Sequence, residues 1–275
     1  MKLVLAEKPS VAMSLSKVIG ANQRGDGYME GNGYLVSWCV GHLAELADAA
    51  AYDPAYAKWR KEDLPILPEP FRYAPIPGKE AALDNVKRLM AREDVTEIVN
   101  ACDAGREGEL IFRLVYEMTG CRKPVLRLWI SSMEDSAIRE GFSELRPGAD
   151  YEALYQSALC RQRADWLVGI NATRLFSVLY HSTLNVGRVQ TPTLSLLAAR
   201  DAKIALFQKE KYHHVRLTLA GAEAVSERFT DPAEAEQAAA MCKGAAVTCT
   251  SVTCEQKKEQ PPKLYDLTAL QREAN

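Results

Sequence analysis

Two groups of acidic residues offer chemistry in this 275-residue chain: Glu7, within Ala6-Glu7-Lys8-Pro9-Ser10, and the run Asp103-Ala104-Gly105-Arg106-Glu107-Gly108-Glu109. Carboxylates brought to one point make the oxygen-rich site that Mg²⁺ prefers, one or two of them beside waters and phosphate oxygens. An ion held there stabilises the charge of a phosphoryl centre under attack. Glu107 and Glu109 taken alone have a plainer reading, since acids in the first turn of a helix are favoured by its macrodipole. That reading gives no reason for acids at two separate strand ends, where Glu7 and Asp103 fall.

The elements around these acids follow from the pattern of apolar residues. Lys2 to Glu7 is rich in Leu and Val with little alternation, as expected of a strand buried on both faces. Pro9 suits the first turn of a helix that carries Val11, Ala12, Leu15, Val18 and Ile19 as an apolar stripe up to Gly20. Residues 28 to 40, broken by Gly31-Asn32-Gly33, read as a hairpin, and residues 49 to 77 as an irregular excursion. A helix over 79–92, a strand over 97–102, a helix from Glu107, a strand over 125–129 and a helix over 134–145 complete an α/β alternation. It implies a mostly parallel sheet with helices on both faces, and ligands gather outside the carboxyl ends of such strands. Arg146-Pro147-Gly148 punctuates the chain. Domains are therefore expected over residues 1–147, 148–210 (mainly helical) and 211–275, the last β-rich, with strands near 212–220, 224–230 and 246–252, a helix over 232–242 and an amphipathic helix at the end.

Composition sets broader limits. No stretch approaches the run of about 20 apolar residues that crosses a membrane, and Glu7 interrupts any signal-like opening. A cytoplasmic protein without membrane partners is expected. The seven cysteines (Cys39, Cys102, Cys121, Cys160, Cys242, Cys249 and Cys254) are odd in number and never spaced for zinc, so reduced, mostly buried thiols are expected. The net charge of −2 gives no global attraction to nucleic acid, so any such binding must be local. Between Cys160 and Lys203, Arg161, Arg163, Arg174, Arg188, Arg200 and Lys203 face only Asp165 and Asp201, which marks either a basic groove or a solvated helix surface.

The acidic clusters together resemble the Toprim domain of topoisomerases, primases and some nucleases. Gly41-His42-Leu43, Leu128-Trp129-Ile130-Ser131-Ser132 and Asn185-Val186-Gly187-Arg188-Val189-Gln190-Thr191-Pro192-Thr193-Leu194 narrow it. In this order they resemble the bacterial topoisomerase III kind of type IA DNA topoisomerase, over essentially the whole chain. The resemblance implies a Toprim domain, a helical DNA-binding domain and the first part of a gate domain. It also implies a reaction in which a tyrosine attacks one strand, forms a 5′-phosphotyrosine link, and another strand passes before resealing.

Residue by residue, Glu7 matches the family's proton-handling glutamate beside the metal, and Lys8 the lysine that stabilises the phosphoryl transition state. Asp103 and Glu107 match metal-binding acids, making Glu7, Asp103 and Glu107 the expected Mg²⁺ ligands. Gly105 departs from the family's frequent Asp-x-Asp-x-Glu pattern, so one carboxylate fewer is available. Asn185, Val186, Gly187, Arg188, Val189 and Gln190 match the segment that holds the DNA backbone: a glycine lets backbone N–H groups approach phosphate, and Arg188 can bind it bidentately. Arg163 and Arg174 lie eleven residues apart, about three helical turns, and fall where the family places DNA contacts; Arg60, beside Trp59, is a weaker candidate of the same kind. His42 is either a structural or a site histidine, and Trp166 sits on an apolar stripe as a core residue would.

The family's nucleophilic tyrosine, set in Tyr-x-Arg-Thr-Asp, is not reached before Asn275, and neither Tyr180 nor Tyr265 has that context. The expectation is an amino-terminal piece of a longer enzyme that binds single-stranded DNA and Mg²⁺ without cleaving, monomeric, nucleoid-associated, with a helicase partner for the full-length enzyme. A truncated, non-catalytic DNA-binding module and a Toprim nuclease are the alternatives.

Overall fold

The computed structural model describes residues 1–248, 250–262 and 264–274, without the side chains of 267, 268 and 271. Two compact units divide the chain, Met1–Ala202 and Lys203–Asn275.

The first unit contains β1 (Lys2–Ala6), α1 (Pro9–Ile19), β2 (Gln23–Gly25), β3 (Tyr28–Gly31), β4 (Tyr34–Trp38), β5 (Ala44–Leu46), β6 (Tyr73–Pro75), α2 (Glu80–Ala91), β7 (Glu97–Ala101), α3 (Arg106–Thr119), β8 (Val125–Arg127), α4 (Asp135–Ser143), β9 (Arg146–Pro147), α5 (Glu152–Tyr180) and most of α6 (Gln190–Ala205). Seven strands form one sheet in the order β2-β3-β4-β1-β7-β8-β9. The inner four, β4, β1, β7 and β8, run parallel, while β2, β3 and β9 are antiparallel additions at the edges. The expected hairpin is β3–β4, turned by Asn32 and Gly33 at positive φ of 50° and 80°.

Alternation within β1 divides the core. Leu3 and Leu5 pack with α2 and α3 residues such as Leu83, Val86, Ile111 and Phe112, while Val4 and Ala6 pack with Ala12, Leu15 and Ile138 of α1 and α4. Helices thus cover both faces, as an all-parallel centre demands. α5 then buries Tyr155, Ala158 and Leu159 against Leu110 and Leu114 of α3. The irregular excursion, three short 3₁₀ turns over Ala49–Ala51, Pro54–Ala57 and Lys61–Asp63, is tied to α5 by Asn171, which accepts from Ile66 N (2.6 Å) and donates to Ile66 O (3.0 Å). Trp166 packs edge-on to Tyr52 and Phe71, in the structural role expected of it.

In the second unit, β10 (Arg216–Leu219) and β11 (Ala222–Val225) form a hairpin, followed by α7 (Pro232–Cys242) and α8 (Leu267–Ala274). The described residues of the strand expected over 246–252 form none, since the hairpin stays two-stranded and gives them no partner; Cys249 lies outside the described residues. The cysteines are less buried than expected. All six described are free, but only Cys39 and Cys102 are buried, because Cys160 lies on the outer side of α5 and Cys242 and Cys254 belong to the smaller unit. The Arg146-Pro147 stretch, expected only to punctuate, is the edge strand β9.

A buried polar cluster joins β7, β8 and α3. The Arg127 side chain is 0% and that of Glu109 1% exposed. Arg127 Nη1 donates to the carbonyls of Asn100 (3.0 Å), Cys102 (2.7 Å) and Leu128 (2.9 Å), and Nη2 to that of Asp103 (2.8 Å). Arg127 Nε sits 3.2 Å from Glu109 Oε2, which accepts from Asn100 Nδ2 at 2.9 Å, and Arg113 Nε donates to Glu109 Oε1 at 3.0 Å. Burial pushes the Arg127 guanidinium below its usual pKa, and Glu109 counters it. Gly108 lets the first turn of α3 approach the same loop: a Cβ there would stand 2.1 Å from the Asp103 carbonyl oxygen.

Removing one partner of a buried ion pair leaves the other charge uncompensated. Arg127→Met is therefore expected to lower unfolding free energy by about 3–5 kcal/mol in urea titration. Gly108→Ala should destabilise as well, through the clash with Asp103.

Candidate active site

Glu7 follows the last residue of β1 and Asp103 stands two residues past β7, the neighbouring parallel strand, so both acids lie at carboxyl tips of the sheet. Backbone bonds from Cys39 N to Ala6 O (2.8 Å) and from Gly41 N to Glu7 O (3.2 Å) hold the first tip. Lys8 is extended at φ −133° and caps α1, with Pro9 at the helix start. The second tip is fixed by Cys102 N donating to Asn100 Oδ1 (3.1 Å) and by the Arg127 bonds already described.

Lys8 Nζ bridges the two tips, 3.3 Å from Glu7 Oε1 and 3.5 Å from Asp103 Oδ2. Glu7 is almost buried at 9% exposure, whereas the Lys8 side chain is about half exposed. The hydrogen bond to Glu7 and the charges of Glu7 and Asp103 raise the Lys8 pKa, so the ammonium is retained at neutral pH. The two carboxylates around one ammonium are a donor set that fits Mg²⁺, which needs no more than one or two from protein.

Glu107 goes elsewhere. Its carboxylate lies 3.5 Å from His42 Nε2 and 4.0 Å from Arg161 Nη1, at a cavity of about 210 Å³ that also borders Gln162 and Asp165. Among the described residues, no three or more His, Cys, Asp or Glu side chains are gathered so as to hold a metal ion. Glu107 and Glu109, two positions apart, are about 200° apart around α3, so one faces the cavity and the other the core. Gly105 is extended at φ 176°, and a Cβ there would meet nothing within 4 Å, so neither backbone nor space requires glycine at that position.

The expected DNA-binding residues divide into three places. Arg60 is exposed and bound bidentately to Asp63, both contacts at 2.9 Å. Arg163 and Arg174 lie under the excursion. The first is 5.0 Å from the Phe71 ring centroid; the second is 4% exposed, donates to Tyr56 O (2.7 Å) and sits 5.5 Å from the Trp59 ring, beside a cavity of about 500 Å³. Asn185, Val186, Gly187, Arg188, Val189 and Gln190 connect α5 to α6. Val186 N donates to Thr173 Oγ1 (2.9 Å), Gly187 N to Thr191 Oγ1 (3.0 Å), and Arg188 Nε to Asp165 Oδ1 (2.7 Å). Asp165 also lies 4.0 Å from Arg161, so charges alternate from Glu107 through Arg161 and Asp165 to Arg188, with the His42 ring beside Glu107.

Sequence reasoning missed two supports of this site, Asn100 and Arg127, and named Glu109 and Asp165 without their supporting roles. Of the two missed, only Asn100 carried a signal, as a polar residue within the apolar strand Glu97–Ala101.

Comparisons with known proteins point to one family. Residues 2–133 match the family model of the Toprim domain and residues 149–275 that of DNA topoisomerase. DNA topoisomerase 3 of Shouchella clausii is 44% identical across 100% of this chain, and that of Bacillus subtilis 43% identical across 99%. The chain spans only 39% and 38% of those two relatives. Among solved structures, full-length topoisomerase I from Thermotoga maritima aligns with a TM-score of 0.57 at 25% identity, over 86% of this chain and 37% of that one. With two family models matched in order and similarity running end to end, the chain belongs to the type IA DNA topoisomerases of the bacterial topoisomerase 3 kind.

Proposed function

We propose that the chain supplies the metal- and strand-binding part of an enzyme that breaks one DNA strand, passes another through the gap and rejoins the first without ATP. The observation that carries this reading is the bridge of Glu7, Lys8 and Asp103 at adjacent strand tips. Lys8, kept protonated by its two neighbours, presents a fixed positive charge to a scissile phosphate, the electrostatic help that phosphoryl transfer most requires. Glu7, nearly buried beside it, handles the proton at the attacking or leaving oxygen. Mg²⁺ would be held by Glu7 and Asp103, with Glu107 joining on leaving His42 and Arg161, and when bound it adds charge stabilisation at the phosphoryl centre.

Single-stranded DNA is the ligand in this reading. Asn185 to Gln190 grip its backbone, Arg163 and, less directly, Arg60 continue the track, and Arg174, covered by the excursion, supports it from beneath. Residues 1–147 act as the metal-binding domain, 148–210 as the strand-binding domain and 211–275 as the first part of the gate. The enzyme works as a monomer in the bacterial cytoplasm on nucleoid DNA, where a helicase partner would supply unpaired strands.

Arg188 is bound to Asp165 but half exposed, so a phosphate must share or take its guanidinium. In anisotropy titrations with a labelled single strand, Arg188→Ala should weaken binding and flatten the slope of log affinity against log salt by about 0.7, the loss of one phosphate contact. Asp165→Asn should act in the opposite direction, tightening binding. An unchanged salt slope in Arg188→Ala would remove that residue from the strand-binding set. Incubated with negatively supercoiled plasmid and Mg²⁺, the chain by itself should leave the plasmid supercoiled, because Tyr180 and Tyr265 lack the nucleophile's sequence context; relaxation by a pure sample would contradict this.

A further inference from the structure

The site above uses the tips of β1 and β7, and the next tips along the sheet, those of β8 and β9, carry a cluster that it leaves idle. Trp129 stands two residues past β8 and is 43% exposed. Its ring stacks with Tyr151, centroids 5.1 Å apart and planes at 21°. The Arg127 guanidinium carbon lies 5.0 Å from the Trp129 centroid and 5.9 Å from that of Tyr151. Tyr151 and the Arg127 guanidinium thus sit close together around an indole that keeps 43% of its residue surface exposed. Beside it lies a cavity of about 320 Å³ lined by Trp129, Gly141, Glu144, Arg146 and Tyr151. Among the described residues, neither the Glu144 carboxylate nor the Arg146 guanidinium has a hydrogen-bond or ion-pair partner.

We propose that this cavity is a subsite for one nucleobase of the strand whose phosphate lies at Glu7, Lys8 and Asp103, stacked on Trp129 and met by Glu144 and Arg146. It rests on the strand-binding reading above. β9 is two strand positions from β7, roughly 10 Å along the row of tips, so a neighbouring nucleotide reaches it. Every base offers a face to an indole. A carboxylate accepts from the exocyclic amino group of cytosine, adenine or guanine, whereas thymine offers only its ring N3–H between two carbonyl oxygens that repel a carboxylate, so the subsite favours amino-bearing bases. Arg146 donates to a base acceptor or to the flanking phosphate. The support is rigid, because the Arg127 that touches both rings also holds the Cys102 and Asp103 carbonyls.

Anisotropy titration of the chain with all-cytosine and all-thymine single strands tests the subsite. The unaltered chain should bind the cytosine strand more tightly. Trp129→Ala should weaken cytosine binding by about tenfold, and Trp129→Phe far less, as loss and retention of a stacking face require. Glu144→Ala should abolish the preference for cytosine while leaving thymine binding unchanged. Should Trp129→Ala unfold, as its thermal midpoint would reveal, the exposed Glu144→Ala variant decides alone. Equal affinity of the unaltered chain for both strands, or unchanged binding and preference in these variants while Arg188→Ala binds weakly, overturns the subsite and leaves the strand-binding reading standing. No binding of either strand by the unaltered chain overturns both.

Discussion

With its side chain fully buried, the Arg127 guanidinium must find its acceptors inside the protein, and those it finds are four carbonyl oxygens around the ends of β7 and β8, with the Glu109 carboxylate as its ion-pair partner. Two of these carbonyls belong to Cys102 and Asp103. A buried charge tolerates few arrangements, since each lost contact exposes it to a large desolvation penalty. The loop that aims Asp103 toward Lys8 is therefore constrained from below, while the side chain itself stays free to meet a cation. Glu7 needs no such clamp, because it continues directly from Leu3 to Ala6, all fully buried in the sheet.

Around that rigid centre the charges are arranged in mutually satisfied pairs: Lys8 with Glu7 and Asp103, Glu107 with Arg161, Asp165 with Arg161 and Arg188. Exposed ion pairs of this kind contribute little to stability and exchange partners readily. A phosphate arriving near Arg188 or a divalent ion near Asp103 replaces an internal partner and leaves no bare charge behind. Low net charge is consistent with this arrangement, because attraction for a strand is confined to the residues that grip it.

Much of this was legible in the chain. The apolar runs Leu3 to Ala6 and Ile98 to Ala101 mark buried strands, and the acids just beyond them fall at strand tips by the geometry of parallel sheets. The helix over Pro232–Cys242 and the Asn32-Gly33 turn were equally plain, since local chemistry decides both. What local sequence could not settle was partnership. Arg146-Pro147 becomes a strand only because β8 is alongside, and Glu107 and Glu109 look alike until the orientation of α3 sends one outward and the other to Arg127. Arg174 reads as a surface cation on a helix, yet the excursion over 49–77 covers it, a long-range contact that no periodicity reveals.

Divalent-ion binding tests most directly whether two strand tips form one site. Titrating the chain with Mn²⁺, followed by electron paramagnetic resonance of the free ion, should show a site that Asp103→Asn and Glu7→Gln each weaken severely and that Glu107→Gln weakens far less. Binding that survives both of the first two substitutions, or that depends on Glu107 alone, would contradict a site built on Glu7 and Asp103.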